Sequence, residues 1–413
     1  MQTQELTATQ HIIAQEKQYG AHNYSPLPVV LSRGEGVNVW DVEGNHYYDF
    51  LSAYSAVNQG HCHPKIIAAL VEQAQKITLT SRAFYNDCLG PAEEYICKYF
   101  GYDKALFMNS GAEAVETAIK MVRKWAYVKK GIPTDMAKIL VVSQNFHGRT
   151  TGIISFSSDP DSTTGFGPMM PGFITIPYND IQALADALAA NPDICGFLVE
   201  PIQGEAGVVV PDEGYLKKAH ELCKQHQVML MADEIQTGIG RTGKLLASHY
   251  DEVHADILIL GKALSGGVLP VSAVLSADDI MLCIKPGEHG STFGGNPMAA
   301  VVSIAGLKVI KEEGLTENAF TMGNLFRERI LHLKNERPDL IQAVRGRGLL
   351  NAIQIIPSNV HGTAGEVCLA LMKKGLLSKP TQKHTIRFSP PLVINESQVQ
   401  ECCDRIEEVI LNF

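Results

Sequence analysis

Several features are missing from this 413-residue chain, and each absence excludes a class of protein. The nine cysteines are odd in number, scattered and free of any C-x-x-C pair. That suggests neither a disulfide framework nor a zinc site, and a reducing compartment fits best. No apolar run approaches the ~20 residues that a bilayer span requires, so no membrane partner is expected. No stripe of basic side chains stands out either. With 35 Lys and Arg against 44 Asp and Glu, the formal charge of -9 has the wrong sign for holding a phosphate backbone, and no nucleic-acid partner is expected. The opening residues, MQTQELTATQHII, lack the basic start and apolar core of a secretory signal and the Arg-rich look of a transit peptide. The expectation is a cytoplasmic protein.

What is present is apolar enough, at 45% hydrophobic residues, for one large core and a smaller second one, since single cores stop growing beyond roughly 250–300 residues. Residues 1–55 read as an N-terminal arm with a small hairpin, because Val37-Asn38-Val39-Trp40-Asp41-Val42 alternates up to a turn at Glu43-Gly44-Asn45. Residues 56–292 alternate short apolar runs with amphipathic stretches. This predicts a large α/β domain with a mostly parallel central sheet and helices on both faces. Residues 293–413 read as a smaller α+β C-terminal domain: a long helical stretch after Asn296-Pro297 through about 335, strand-like pieces at 348–356 and 385–388, and a closing helix over 396–411.

The chemistry sits where buried strands end. Three apolar runs each terminate in a charge, namely Glu200, Asp233 and Lys262, and open α/β sheets bind ligands at the carboxyl ends of their strands. Asp233 and Lys262 stand about one strand-helix-strand unit apart, so both can face one crevice, although the spacing fits equally an ion pair closing a sheet edge. Ser110-Gly111-Ala112 follows another apolar run and leads into an amphipathic helix over 113–125. Ser-Gly in that place is commonly only an N-cap, yet the same turn offers free backbone N–H groups to a phosphate. Amine, carboxylate and anion cradle together are what pyridoxal 5'-phosphate requires.

Other signals carry less. Gly238-Ile239-Gly240-Arg241-Thr242-Gly243 spells G-x-G-x-x-G, but it starts five residues after Asp233 and Leu245 replaces the magnesium-binding hydroxyl of a phosphate loop, so it reads as a flexible surface loop. His61-Cys62-His63 lies too close in sequence to close a tetrahedral metal site and reads as packing and turn hydrogen bonds. The charged residues of 311–337 read as a solvated helix face.

At this point the sequence resembles a known family. Asn109-Ser110-Gly111-Ala112-Glu113-Ala114, Glu200-Pro201-Ile202-Gln203-Gly204-Glu205, Asp233-Glu234-Ile235-Gln236-Thr237-Gly238 and Gly261-Lys262-Ala263-Leu264-Ser265-Gly266-Gly267 are similar, in order and spacing over essentially the whole chain, to the class III aminotransferases of fold type I. Tyr19 to Tyr24, Tyr54 to Pro64, Asn145 to Thr150 and Gly287 to Thr292 resemble the ornithine-specific branch of that class. The resemblance implies pyridoxal phosphate held covalently by Lys262, which then serves as the proton-transferring base, with Asp233 on the ring nitrogen. It further implies Phe146 and Ile235 on the two ring faces, Gln236 on the phenolic oxygen, and Ser110, Gly111 and Ala112 at the phosphate. Ser291 and Thr292 are expected to reach that phosphate from the other subunit, making the protein a homodimer with shared active sites.

For the substrates, ornithine and 2-oxoglutarate, the resemblance implies Arg149 on the distal carboxylate, with Tyr24 and Tyr54 either binding the distal amine or narrowing the pocket. Glu205 is expected to cover Arg387 while ornithine reacts and to release it for 2-oxoglutarate. His147 follows Phe146 where the family often has Trp. A sibling activity on acetylornithine or 4-aminobutyrate stays open, as does a non-catalytic descendant of the fold; Tyr24 is the discriminator for the former, since an acylated amine does not need its phenol.

Overall fold

A computed structural model describes residues 6–357 and 363–413. The arm begins with a helix, Ala8–Tyr19, none of whose side chains is buried, and continues into an antiparallel meander of β1 (Leu31–Glu35), β2 (Asn38–Asp41) and β3 (His46–Asp49). Asp41 explains the β2–β3 turn: its carboxylate accepts the amides of Glu43 and Asn45, clamping the Glu43-Gly44-Asn45 corner.

Beyond the arm lie β4 (Lys104–Met108), β5 (Lys138–Val142), β6 (Phe173–Ile176), β7 (Ile194–Val199), β8 (Met229–Asp233), β9 (Ile257–Leu260) and β10 (Ser272–Ser276), which form one sheet in the order β4-β10-β9-β8-β7-β5-β6. The run from β9 to β6 is parallel, and β10 runs antiparallel to both its neighbours. β7, β9 and β10 are buried at every position, as a strand covered on both faces must be. Alternation then divides each strand between two cores. Ile139, Val141 and Leu198 pack with Ala114, Ala118 and Val122 of the helix Gly111–Trp125. Leu140, Val142 and Phe197 face Leu184 and Leu188 of one helix and Leu216 and Cys223 of another.

Past the sheet, the helical stretch after Asn296 is two helices, Pro297–Glu312 and Leu315–Glu336, interrupted where Gly314 turns left-handed at φ +61°. The second is not wholly solvated on its charged side: Arg329 bonds Glu407 and Asp404, and Arg327 bonds the carbonyl of Gly348. β11 (Ile341–Arg347) and β12 (Leu350–Ile355) form a hairpin. After the two-residue β13 (Leu376–Leu377) come β14 (Lys379–Thr381) and β15 (Thr385–Phe388), giving an antiparallel sheet ordered β11-β12-β15-β14. The closing helix, Glu396–Leu411, packs Val399, Cys402 and Ile406 into the core beneath it. β13 leaves this sheet and pairs in parallel with β3, completing the arm.

The Gly238-to-Gly243 segment is not the surface loop that its composition suggests. Arg241 is fully buried, donating to Asn58 Oδ1 and to the carbonyls of Leu349 and Pro390. A guanidinium can be buried without a carboxylate when its fork is filled by fixed acceptors, and here those come from three distant stretches of chain. Among the described residues no helix is long and apolar enough to cross a membrane.

Candidate active site

β8 ends on Asp233 and β9 runs through Gly261 into Lys262, so adjacent parallel strands deliver a carboxylate and an amine to the same sheet edge. They line one cavity of about 190 Å³ together with Gly111, Ala112, Phe146 and Ile235. Lys262 adopts φ +43°, a left-handed conformation that a side-chain-bearing residue takes only when its surroundings impose it. Burial lowers the pKa of its amine, against the opposing pull of Glu205 and Asp233.

The cradle opposite is the start of the helix Gly111–Trp125. Ser110 caps it, accepting from Glu113 N, while the Glu113 carboxylate accepts the amides of Ser110 and Asn109. This capping box leaves the first-turn amides of Gly111 and Ala112 without intrahelical partners. The backbone can come this close because residue 111 is glycine: a Cβ there would lie 2.9 Å from Ile235 Cδ1.

Asp233 is fixed from behind. His147 Nδ1 lies 2.6 Å from Asp233 Oδ2, with the imidazole wholly buried, and the Ile235 amide donates to the other oxygen. Burial depresses the imidazole pKa, but the hydrogen bond and charge of Asp233 outweigh it and hold His147 above its ordinary value. Nearby Glu200 accepts the amides of Phe146 and Gly204, and burial pushes its carboxyl up to about 7 against the influence of His147.

A second cluster borders the amine. Arg387, on β15 and 1% exposed, donates to Glu205 Oε1 at 2.6 Å and to Gln236 Oε1 at 3.3 Å, and Gln236 Nε2 donates to the same Glu205 oxygen. Burial raises the Glu205 carboxyl, and Arg387 more than reverses this, leaving it below the usual range. The guanidinium carbon of Arg387 sits 4.9 Å from the Tyr54 ring centre. Burial raises the Tyr54 phenol, whose electrostatic neighbours are Arg387, Glu205, Tyr24 and Arg149. Tyr54 thus stands amid the other four side chains expected to meet substrate. Arg149 also lies 5.9 Å from the Phe146 ring.

Tyr54 stands on unusual backbone. Ser52, Ala53, Tyr54 and Ser55 all have positive φ, between 46° and 70°. Left-handed geometry costs side-chain-bearing residues roughly 1–2 kcal/mol each, so surrounding contacts must enforce it.

Two further expected cofactor contacts have a definite place in this geometry. Gln236, expected on the cofactor's phenolic oxygen, lines the Lys262 cavity with Nε2 donating to Glu205 and Oε1 accepting from Arg387, which leaves its second Nε2–H for a further acceptor. Ser291 and Thr292 do not line the Lys262 cavity of their own chain; Ser291 Oγ accepts from Asn109 Nδ2 and Thr292 is exposed. Nor do His61 and His63 converge: the first bonds Asp49 and the second Glu313. Sequence reasoning gave Glu200 no role in the site beyond its strand-terminal place, and nothing in the spacing linked His147 to Asp233.

These residues fit pyridoxal phosphate: an amine with depressed pKa, a carboxylate backed by a buried imidazole, and a glycine-bared helix start share one cavity. A family model for class III aminotransferases matches residues 19–410, and the chain belongs to that family. It is 58% identical to the mitochondrial ornithine aminotransferase of Drosophila melanogaster, across 100% of this chain and 95% of the relative. Among solved structures, the ornithine aminotransferase of Toxoplasma gondii superposes with a TM-score of 0.96 at 48% identity, covering 99% of this chain and 96% of that one. The acetylornithine aminotransferase of Elizabethkingia anophelis does so with a TM-score of 0.91 at 60% identity, covering 98% and 99%.

Proposed function

We propose that the chain is an ornithine δ-aminotransferase, moving the δ-amino group of L-ornithine to 2-oxoglutarate and yielding glutamate 5-semialdehyde and glutamate. The observation that carries this reading is the buried Arg387 capped by Glu205 beside Lys262. An ω-amine donor needs the arginine masked, whereas an α-keto acceptor needs it bare, and a hydrogen-bonded carboxylate on a partly exposed side chain can provide both states.

Pyridoxal phosphate, when bound, supplies an aldehyde for the amine and a ring that accepts the electron pair left by proton loss. The chain's own residues do the rest. Gly111 and Ala112 hold the phosphate through their amides. Asp233, braced by His147, would keep a proton on the ring nitrogen, and Phe146 and Ile235 would hold the ring between them. Lys262 Nζ, with its depressed pKa, takes the proton from the amine-bearing carbon and returns it. Arg149 takes the distal carboxylate of ornithine, and Tyr24 and Tyr54 meet its distal amine. Arg387 takes the α-carboxylate of 2-oxoglutarate once Glu205 moves off.

A homodimer belongs to the same proposal, with Ser291 and Thr292 of each subunit addressing the other's phosphate; light scattering and a Thr292→Ala cofactor titration test it. Cytoplasmic residence is supported by nine unpaired cysteines and is tested by cell fractionation. The 60% identity to the Elizabethkingia protein favours acetylornithine as the alternative donor. Steady-state turnover of ornithine, N-acetylornithine and 4-aminobutyrate with 2-oxoglutarate decides: ornithine is expected to lead by at least about tenfold in kcat/KM, and a lead by the acylated amine overturns the assignment.

A further inference from the structure

The left-handed turn Ser52–Ser55 is held from two sides. Asp49 Oδ1 accepts the amides of both Leu51 and Ser52, at 2.8 and 2.9 Å, while Asp49 Oδ2 is 2.7 Å from His61 Nε2. From the other side, Ser52 Oγ donates to the carbonyl of Ser389 and Ser389 Oγ to that of Leu51, just past the end of β15 that carries Arg387. The turn and the arginine's strand are thereby bolted together, and the one large side chain that the turn presents, Tyr54, lies over the guanidinium.

We propose that Asp49 is a positioning residue for substrate selection: by imposing the left-handed turn it fixes Tyr54 over Arg387 and so sets how Arg387 meets a carboxylate. Backbone bonds from Tyr54 N and Ser55 N to the Leu51 carbonyl and from Ala56 N to that of Ser52 close the turn, and Asp49 holds its entry. None is glycine, Ser52 and Ser55 are buried, and the two amides that start the turn end on one carboxylate oxygen. The Asp49 oxygen thus offsets a backbone cost that glycine would avoid, and holding the turn sets the direction in which Tyr54 leaves it. The inference rests on the reading of Arg387 as the 2-oxo acid's carboxylate site.

The test is steady-state kinetics on cofactor-loaded full-length protein with 2-oxoglutarate as the varied substrate. Asp49→Ala is expected to raise KM about tenfold with kcat changed less than about twofold, since the loss of two charge-assisted bonds loosens ring placement but leaves Lys262 untouched. Asp49→Asn keeps an oxygen toward the two amides and is expected to stay within about threefold of the parent. Tyr54→Ala should raise KM alone but add little to Asp49→Ala, because both act through the same contact. An unchanged KM in Asp49→Ala overturns the proposal, as do fold-changes for Asp49→Ala and Tyr54→Ala that multiply. Should Asp49→Ala fail to fold, Ser52→Ala removes only the tie to Ser389; about a threefold rise in KM supports the proposal and none overturns it. Arg387→Ala separates the two layers. If it leaves KM unchanged, the site reading fails and takes this inference with it; if it raises KM where Asp49→Ala does not, this inference alone fails.

Discussion

Replacing Glu205 with alanine is the sharpest perturbation of the site, because the bond it removes is short, charged and nearly dry. Glu205 meets Arg387 at 2.6 Å; Arg387's side chain is 2% exposed and Glu205's is 27%. A hydrogen bond between charged groups is worth about 1.5–3 kcal/mol net. The exposed edge of Glu205 places this one toward the lower half of that range, since solvent screens part of the attraction. Under the proposed gate, that bond must break before Arg387 can receive the carboxylate of an α-amino acid such as glutamate. Ornithine reacting at its δ-amine leaves the bond intact. Deleting the carboxylate thus removes a barrier from one substrate and a mask from the other. The ratio of single-turnover rates, glutamate over ornithine, is expected to rise by about 10- to 40-fold, each 1.4 kcal/mol being tenfold. The assay is stopped-flow absorbance of the cofactor-loaded variant mixed with either amino acid in the absence of acceptor. A ratio within about twofold of the parent would refute the gate, because a structural salt bridge alone has no reason to discriminate between the two donors.

Other outcomes follow from the same geometry. Glu200, pushed up to about 7 by burial, binds its proton more tightly in the folded than in the unfolded chain, so its contribution to stability is present below its ordinary value of 4.5 and is lost as pH rises through about 7. Glu200→Gln should therefore gain in melting temperature relative to the parent between pH 5.5 and 8, and a constant difference across that span contradicts the shift. His147→Ala removes the 2.6 Å contact behind Asp233 and should weaken cofactor binding about tenfold in an absorbance titration; unchanged affinity would show that Asp233 needs no brace. Arg241→Ala strands the acceptors of Asn58, Leu349 and Pro390 in a dry interior, which should cost on the order of 3–5 kcal/mol in denaturant unfolding. A loss below about 1 kcal/mol would mean that water reaches them.

How much of this was legible in the residues depended on whether a feature is local. Strand ends were legible, since an apolar run stopped by a single charge is a local pattern; Asp233 and Lys262 fell at the ends of neighbouring strands as their spacing suggested. The phosphate-cradle helix was legible from its Ser-Gly turn and amphipathic run, and β15 and the closing helix as a strand-like piece and a terminal helical stretch. Pairing between distant segments was not. The reversal of β10 and the departure of β13 to the arm depend on contacts across most of the chain. Glycine-rich composition misled at Gly238 to Gly243, because Arg241 is buried only by virtue of acceptors brought in by other segments. The left-handed turn at Ser52 was invisible, since four residues with side chains carry no signal for positive φ.

The strand that leaves the C-terminal sheet for the arm has a consequence for biosynthesis. β3 is synthesised long before β13, yet Tyr48 N and Phe50 N find their acceptors in Gly375 and Leu377, at β13. Through nearly all of translation that edge stays open, a row of unanswered amides available to any passing strand. A nascent chain of this design is most prone to stick to its neighbours until β13 appears, and a version cut before β13 keeps that hazard permanently.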